Sequence, residues 1–203
     1  MLQATSKGEK GGRPLIPGQI ALLALGANLK SAVGSPEQTL LAAVAALESQ
    51  GVVIRLVSAF YLTPAFPAGA GPDYVNAAAQ VEFEGKAEDF LDLLHKIEAA
   101  MGRKREARWG QRTLDIDLLA VGDQVLPDQA TYLRWRTLPL DQQAQQAPDQ
   151  LVLPHPRLQD RAFVLVPLAE IAPDWIHPVL QKSVKDLLAD LFQADVAAVK
   201  RIE

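Results

Sequence analysis

The chain has 203 residues, 49% of them apolar and 22% charged, with a mean hydropathy of +0.05. That balance excludes both a disordered chain and an apolar membrane protein. With 24 acidic against 20 basic side chains the net charge is −4, which argues against a general binder of nucleic-acid backbones. The absence of cysteine excludes disulfides, thiolate catalysis, iron–sulfur clusters and cysteine-ligated zinc. His95, His155 and His177 lie too far apart for a His-x-x-x-His metal site. No apolar run reaches the length of a membrane span, and residues 1–18 lack the hydrophobic stretch of a signal peptide. A soluble, cytoplasmic protein is expected.

Residues 1–18 mix glycine, lysine and proline without periodicity and read as a flexible tail, leaving 19–203 as a single domain. Ile20–Leu25 is a continuous apolar run ending at Gly26, the pattern of a buried strand. Ser35-Pro36-Glu37-Gln38 then offers an N-cap serine, a proline at the first helical position and a glutamine for a capping box. Leu40, Val44 and Leu47 follow at helical spacing, and Gly51 is placed to stop that helix. Val52–Leu62 is β-branched and apolar, a strand leading into the proline- and glycine-rich loop Thr63–Asp73. From Val75 to Glu84 the residues alternate, with Val75, Ala77, Ala79, Val81 and Phe83 on one face and Asn76, Gln80 and Glu82 on the other. Phe90, Leu94, Ile97 and Met101 predict a second amphipathic helix closed by Gly102, and Thr113–Val121 returns to strand character. This βαββαβ order is that of a ferredoxin-like α+β fold, an antiparallel sheet with helices packed on one face. A glutamine-rich stretch, the apolar segment Phe163–Ile171 and a last helix opened by Ser183 add further C-terminal strands and helices.

Chemistry concentrates in four places. In Arg112-Thr113-Leu114-Asp115-Ile116-Asp117-Leu118-Leu119 a strand puts both carboxylates on one face and Leu114, Ile116 and Leu118 in the core. Two anions so close repel unless a cation sits between them, and such pairs suit magnesium completed by water and phosphate. Arg103, Lys104, Arg105, Arg108 and Arg112 immediately precede that pair, more positive charge than a helix C-terminus alone calls for. Arginines beside a metal are what a polyphosphate site needs, and Trp109 could pack on a base or anchor the loop. Asn76, with a donor and an acceptor, can read the edge of an amide-like heterocycle, and Tyr74 offers a stacking face. Finally, Pro154-His155-Pro156-Arg157, with Arg161 and Phe163 following, fits an anion site. No GxxxxGK[ST] or GxGxxG cradle is present, so side chains and metal would have to hold a nucleotide.

Together these segments resemble the 2-amino-4-hydroxy-6-hydroxymethyldihydropteridine pyrophosphokinase family. The matching stretches are LALGANL, SAFYLTPA, GPDYVNAA, IEAAMGR, RWGQRTLDIDLL and LPHPRLQDRAFVLVPLAEIAP, in family order over about residues 20–180. The resemblance implies transfer of pyrophosphate from ATP to the hydroxymethyl group of 6-hydroxymethyl-7,8-dihydropterin, releasing AMP in folate biosynthesis. It implies ATP as co-substrate, with two magnesium ions held by Asp115 and Asp117, and Arg103 and Arg112 as catalytic cations. Arg105, Arg108, Trp109, Arg112, His155 and Arg161, with Glu98, Ile116 and Leu151, would bind the nucleotide. Tyr74 and Phe163 would sandwich the pterin, with Asn76 at its edge and Thr63, Pro64 and Phe66 completing the pocket. A monomer acting without nucleic acid or membrane is expected.

Two other readings use the same residues: glycosyl or nucleotidyl transfer at the Asp-x-Asp site, and a ferredoxin-like sheet that binds RNA. The second fits poorly with 6% aromatic residues and a net acidic chain. Residues 126–149 read as an insertion. If Thr131–Thr137 is extended, Arg134 and Arg136 share one face and one of them could reach the triphosphate, supplying a cation that Gln150 lacks; the alternative is a surface ornament.

Overall fold

The computed structural model describes residues 18–65, 71–102, 113–139, 142 and 146–203. The first apolar run forms β1 (Gln19–Ala27) at the heart of a six-stranded sheet. The capping box forms at the start of α1 (Pro36–Ser49): the Ser35 hydroxyl accepts from the Gln38 amide, and the Gln38 side chain accepts from the Ser35 amide at 2.8 Å. Such a cap is worth about 1 kcal/mol. Val52–Leu62 yields two strands rather than one, β2 (Val53–Val57) and β3 (Tyr61–Thr63). The register slips between Ile54 and Leu56. Ser58 then bonds Ala78 through both its amide and its hydroxyl, each at 2.9 Å, between the two strands. β4 (Tyr74–Phe83), α2 (Ala87–Ala100) and β5 (Asp115–Val121) follow as the patterns predict.

All strand pairs are antiparallel, in the order β5-β1-β4. β2 and β3 lie in succession along the outer side of β4, and a two-residue β6 (Lys200–Arg201) pairs with β3. The fold is thus a mixed α/β arrangement built on an antiparallel sheet.

Helices cover both faces of this sheet, whereas the sequence pattern predicts helices on one. Ala21, Leu23, Leu25 and Ala27 of β1 join Val75, Ala77, Ala79 and Val81 of β4 in a core with α1 and α2. Leu22, Ala78 and Leu119 face the opposite way and pack with Val164, Leu165 and Leu168 of α4 (Ala162–Ile171). The reason is side-chain size. Ala24 and Ala78 let a helix approach a face that Asn76, Gln80 and Glu82 make look solvent-exposed in sequence.

Between β5 and α4 lies α3 (Gln129–Thr137), a helix and not an extended segment. Asp128 caps it, its carboxylate accepting from the Thr131 amide at 2.8 Å. Ser183 opens α5 (Val184–Ala189) with a second capping box, and α6 (Gln193–Ala198) precedes β6. The fully buried Tyr132 of α3 and His177 hydrogen-bond at 2.9 Å, tying the stretch after β5 to the C-terminal segment. Among the described residues, no helix is long and apolar enough to cross a membrane.

Candidate active site

Residues directly paired across antiparallel strands point to the same side of a sheet. Asp115 pairs with Gly26, Gly26 with Asn76, and Asn76 with Tyr61, so one row crosses four strands. Asp117, Ala24 and Ala78 form the next row, and Tyr74 pairs with Thr63 on the other side of the first. Both carboxylates are half-buried on the α4 side, while Leu114, Ile116 and Leu118 are buried against α1 and α2 as the alternation predicts. Gly26 keeps the middle of the row low: a Cβ there would stand 3.1 Å from Asn76 Oδ1. Asn76 is buried, and its Nδ2 donates to Thr63 Oγ1 at 3.0 Å. Buried Asn28 donates from Nδ2 to the Pro72 carbonyl at 3.1 Å, holding the approach to β4 against the end of β1.

Over this face lies the segment leading into α4. The His155 amide donates to the Leu119 carbonyl at 2.7 Å, fastening the segment to β5. Arg161, at the mouth of α4, places Nη1 3.4 Å from Asp117 Oδ2. Its guanidinium carbon lies 5.7 Å from the centre of the Phe163 ring, within the range of cation–π attraction. Arg161 therefore stands between the carboxylate pair and an aromatic ring that is 37% exposed. Desolvation pushes the His155 imidazole down to about 3; the Arg161 cation acts in the same direction, Asp115 opposes it, and Arg157 adds a smaller lowering. His155 Nδ1 accepts from the Arg157 amide at 3.1 Å, so the neutral ring carries its proton on Nε2, a donor suited to a phosphate oxygen.

The remaining expected residues are distributed differently. Ile116 is buried behind β5, and its amide donates at 2.8 Å to Oε1 of Glu98, which is itself buried on α2. Leu151 is half-buried against that same core, so these three lie on the far side of β5 from the carboxylates. Pro64 is exposed just after β3. Phe66, Arg103, Lys104, Arg105, Arg108, Trp109 and Arg112 lie outside the described residues.

A family model described as 7,8-dihydro-6-hydroxymethylpterin-pyrophosphokinase (HPPK) matches residues 22–173. The chain belongs to this family. It is 36% identical over 180 residues to a Synechocystis protein named 2-amino-4-hydroxy-6-hydroxymethyldihydropteridine pyrophosphokinase, covering 88% of this chain and 78% of the relative. A Methylorubrum extorquens protein of the same name is 36% identical over 184 residues, covering 90% and 98%. Among solved structures, Plasmodium falciparum HPPK-DHPS with pteroate matches with a TM-score of 0.63 at 15% identity, a likeness of fold. That match covers 91% of this chain but 46% of the other, so this chain spans less than half of that two-part protein.

In this HPPK-family chain, sequence reasoning left Gly26 and Asn28 without a role. The LALGANL stretch was the available signal, since a glycine and a buried amide directly after an apolar strand ask for a partner. Arg134 and Arg136 do not share a face. On α3, residues two apart stand roughly 200° around the axis; Arg134 lies over the Trp135 ring at 5.9 Å. The geometry that would have sent both arginines one way is absent from α3.

Proposed function

We propose that this chain transfers pyrophosphate from ATP to the hydroxymethyl oxygen of 6-hydroxymethyl-7,8-dihydropterin in folate biosynthesis. Family membership supports the activity. The observation that carries it to particular residues is the row Asp115–Gly26–Asn76, with Arg161 bridging toward Phe163. One end of the row is anionic and lies beside Asp117, which the Arg161 cation meets. The other carries an amide and aromatic rings suited to a flat heterocycle.

The hydroxymethyl oxygen attacks the β-phosphorus, the bond between the α,β-bridging oxygen and that phosphorus breaks, and AMP leaves with the oxygen. Asn76 would read the edge of the pterin, Tyr74 and Phe163 would hold its faces, and Thr63, Pro64 and Phe66 would close the pocket. Arg161 and the Nε2–H of His155 would bind phosphate oxygens and stabilise charge on the transferred group. The same role is proposed for Arg103, Arg105, Arg108 and Arg112, with Trp109 against the base. Glu98, Ile116 and Leu151 would support the nucleotide end from behind β5.

The donor set fits magnesium. Asp115 and Asp117 are half-buried on one face, and among the described residues no group of three or more His, Cys, Asp or Glu could hold an ion alone. Two carboxylates completed by phosphate and water are the donors magnesium prefers. We assign two ions to Asp115 and Asp117; bound there, they would neutralise charge on the triphosphate. The strand order supports a ferredoxin-like reading, with β2 and β3 together taking the place of one strand. The proposal includes a single domain over 19–203 with residues 126–149 inserted, acting as a monomer in the cytoplasm.

The test is AMP release with ATP, magnesium and 6-hydroxymethyl-7,8-dihydropterin. Pterin-dependent AMP is the expected product; ADP, or no nucleotide product, overturns the reading.

A further inference from the structure

Glu170 sits in the LAEIAP stretch near the end of α4, and the chemistry above gives it no task. Its Oε2 accepts two hydrogen bonds, from the Tyr61 hydroxyl of β3 at 3.0 Å and from the amide of Ala59, two residues ahead of that strand, at 3.0 Å. Arg201 of β6 approaches its other oxygen at 3.9 Å, a surface pair of little energetic weight. Ala162, Val166 and Glu170 recur at i, i+4 and i+8, so they form one stripe along α4. Tyr61, Ala162, Val166 and Val199 share a small apolar cluster beneath that stripe. Apolar contact sets how closely the helix lies on the sheet. The paired bonds at Glu170 add a directional constraint along the helix axis, since hydrogen bonds weaken steeply when misaligned.

Both ends of this link lead to the heterocycle pocket. Phe163 is seven residues before Glu170, two helical turns along nearly the same face of α4. Tyr61 is directly opposite Asn76 in the β3–β4 pair. We propose that Glu170 is a positioning residue: by bonding Tyr61 and Ala59 it fixes where α4 stands along β3 and so sets the separation of Phe163 from Asn76. It touches no substrate itself. Burial raises the Tyr61 hydroxyl above its ordinary pKa, with Glu170 adding to the effect, so the donor keeps its proton throughout the neutral range.

This inference rests on the substrate reading above, and the experiment separates the two. Wild-type protein must first show pterin-dependent AMP release; without it the substrate reading fails. With it, Glu170→Ala is expected to raise KM for the pterin about ten-fold while KM for ATP changes less than about two-fold. Glu170→Gln, which keeps an acceptor oxygen in place, is expected to restore a near wild-type pterin KM. Tyr61→Phe, which keeps the ring and removes one bond, is expected to fall between them and covers the case in which Glu170→Ala does not fold. An unchanged pterin KM in folded Glu170→Ala overturns the inference. Equal losses for both substrates, or a Gln variant as impaired as the Ala variant, overturn it as well.

Discussion

At the scale of single residues, the site combines groups whose neighbours already set their state. Asp117 has Arg161 at 3.4 Å and shares its sheet face with Asp115, so removing it deletes an acceptor for cations without opening the core. Asp117→Ala should lower turnover by about three orders of magnitude while leaving the melting temperature within a few degrees of wild type. Steady-state kinetics and calorimetry check both halves, and near-normal turnover at ordinary magnesium would contradict the metal assignment. Asn76 offers a second, separable change. Its replacement by alanine takes away hydrogen-bonding groups in a buried place, so pterin affinity should fall about ten-fold or more with ATP affinity nearly unchanged. Titration calorimetry with each ligand would show equal losses if Asn76 were only structural. His177 contributes to acid sensitivity, as does His155, whose imidazole is pushed lower still. Burial first, and the Arg136 cation second, push His177 down to about 4 from 6.5. Because the folded pKa lies below the unfolded one, the unfolded chain takes up the proton first as pH falls. Stability should be complete above about pH 6.5 and decline toward pH 4, by about 3 kcal/mol from this group. A His177→Gln variant should show a shallower loss over that window in denaturant titrations.

At the scale of elements, the sheet face is a set of rows whose heights differ. Gly26 makes the lowest point, and the 3.1 Å approach of an added Cβ to Asn76 Oδ1 is tighter than ordinary contact. Gly26→Ala should therefore displace the Asn76 amide and weaken pterin binding several-fold, and Gly26→Val should abolish it, with the strand ladder intact by circular dichroism. How far such features can be read in a sequence depends on the range of the interaction. Ser35 and Gln38 form their box because both groups lie within one turn, and Asp115 and Asp117 share a face because a strand alternates. Both are local, and both are legible. Gly26 facing Asn76 is a pairing across 50 positions, fixed only once β1 and β4 are in register. α3 is the converse case. Thr131–Thr137 contains β-branched and aromatic residues suited to a strand, yet the Asp128 cap and the burial of Tyr132 against His177 hold it as a helix. The covered second face was hidden for a similar reason, since Ala24 and Ala78 carry little signal until a helix lies on them.

At the scale of the whole molecule, the sheet separates two duties. Its α1/α2 side is a closed apolar core, and its α4 side carries both packing and the candidate chemistry. The link between Tyr132 and His177 borders the α4-side core through the Trp175 ring, 5.6 Å from that of His177, and its ring geometry assigns the proton. His177 Nδ1 accepts from the Val179 and Leu180 amides at 3.2 and 3.3 Å, so Nε2–H donates to the Tyr132 oxygen. Tyr132→Phe leaves that buried donor without its acceptor and should cost about 1–3 kcal/mol, while KM for either substrate stays unchanged; a shift in KM would tie α3 to the site. The row through Asp115, Gly26, Asn76 and Tyr61 also bears on how this protein tolerates insertions and deletions. One residue added within Ala21–Ala27 would turn every later side chain of β1 over, putting Leu25 where Gly26 lies and driving a bulky group between the two halves of the site. The same addition at the Glu84–Lys86 turn would lengthen a connection and move nothing in the row. In a library of single-codon insertions, survivors should cluster at such turns and be missing from the middle of β1, in a pattern that traces the site without any ligand being added.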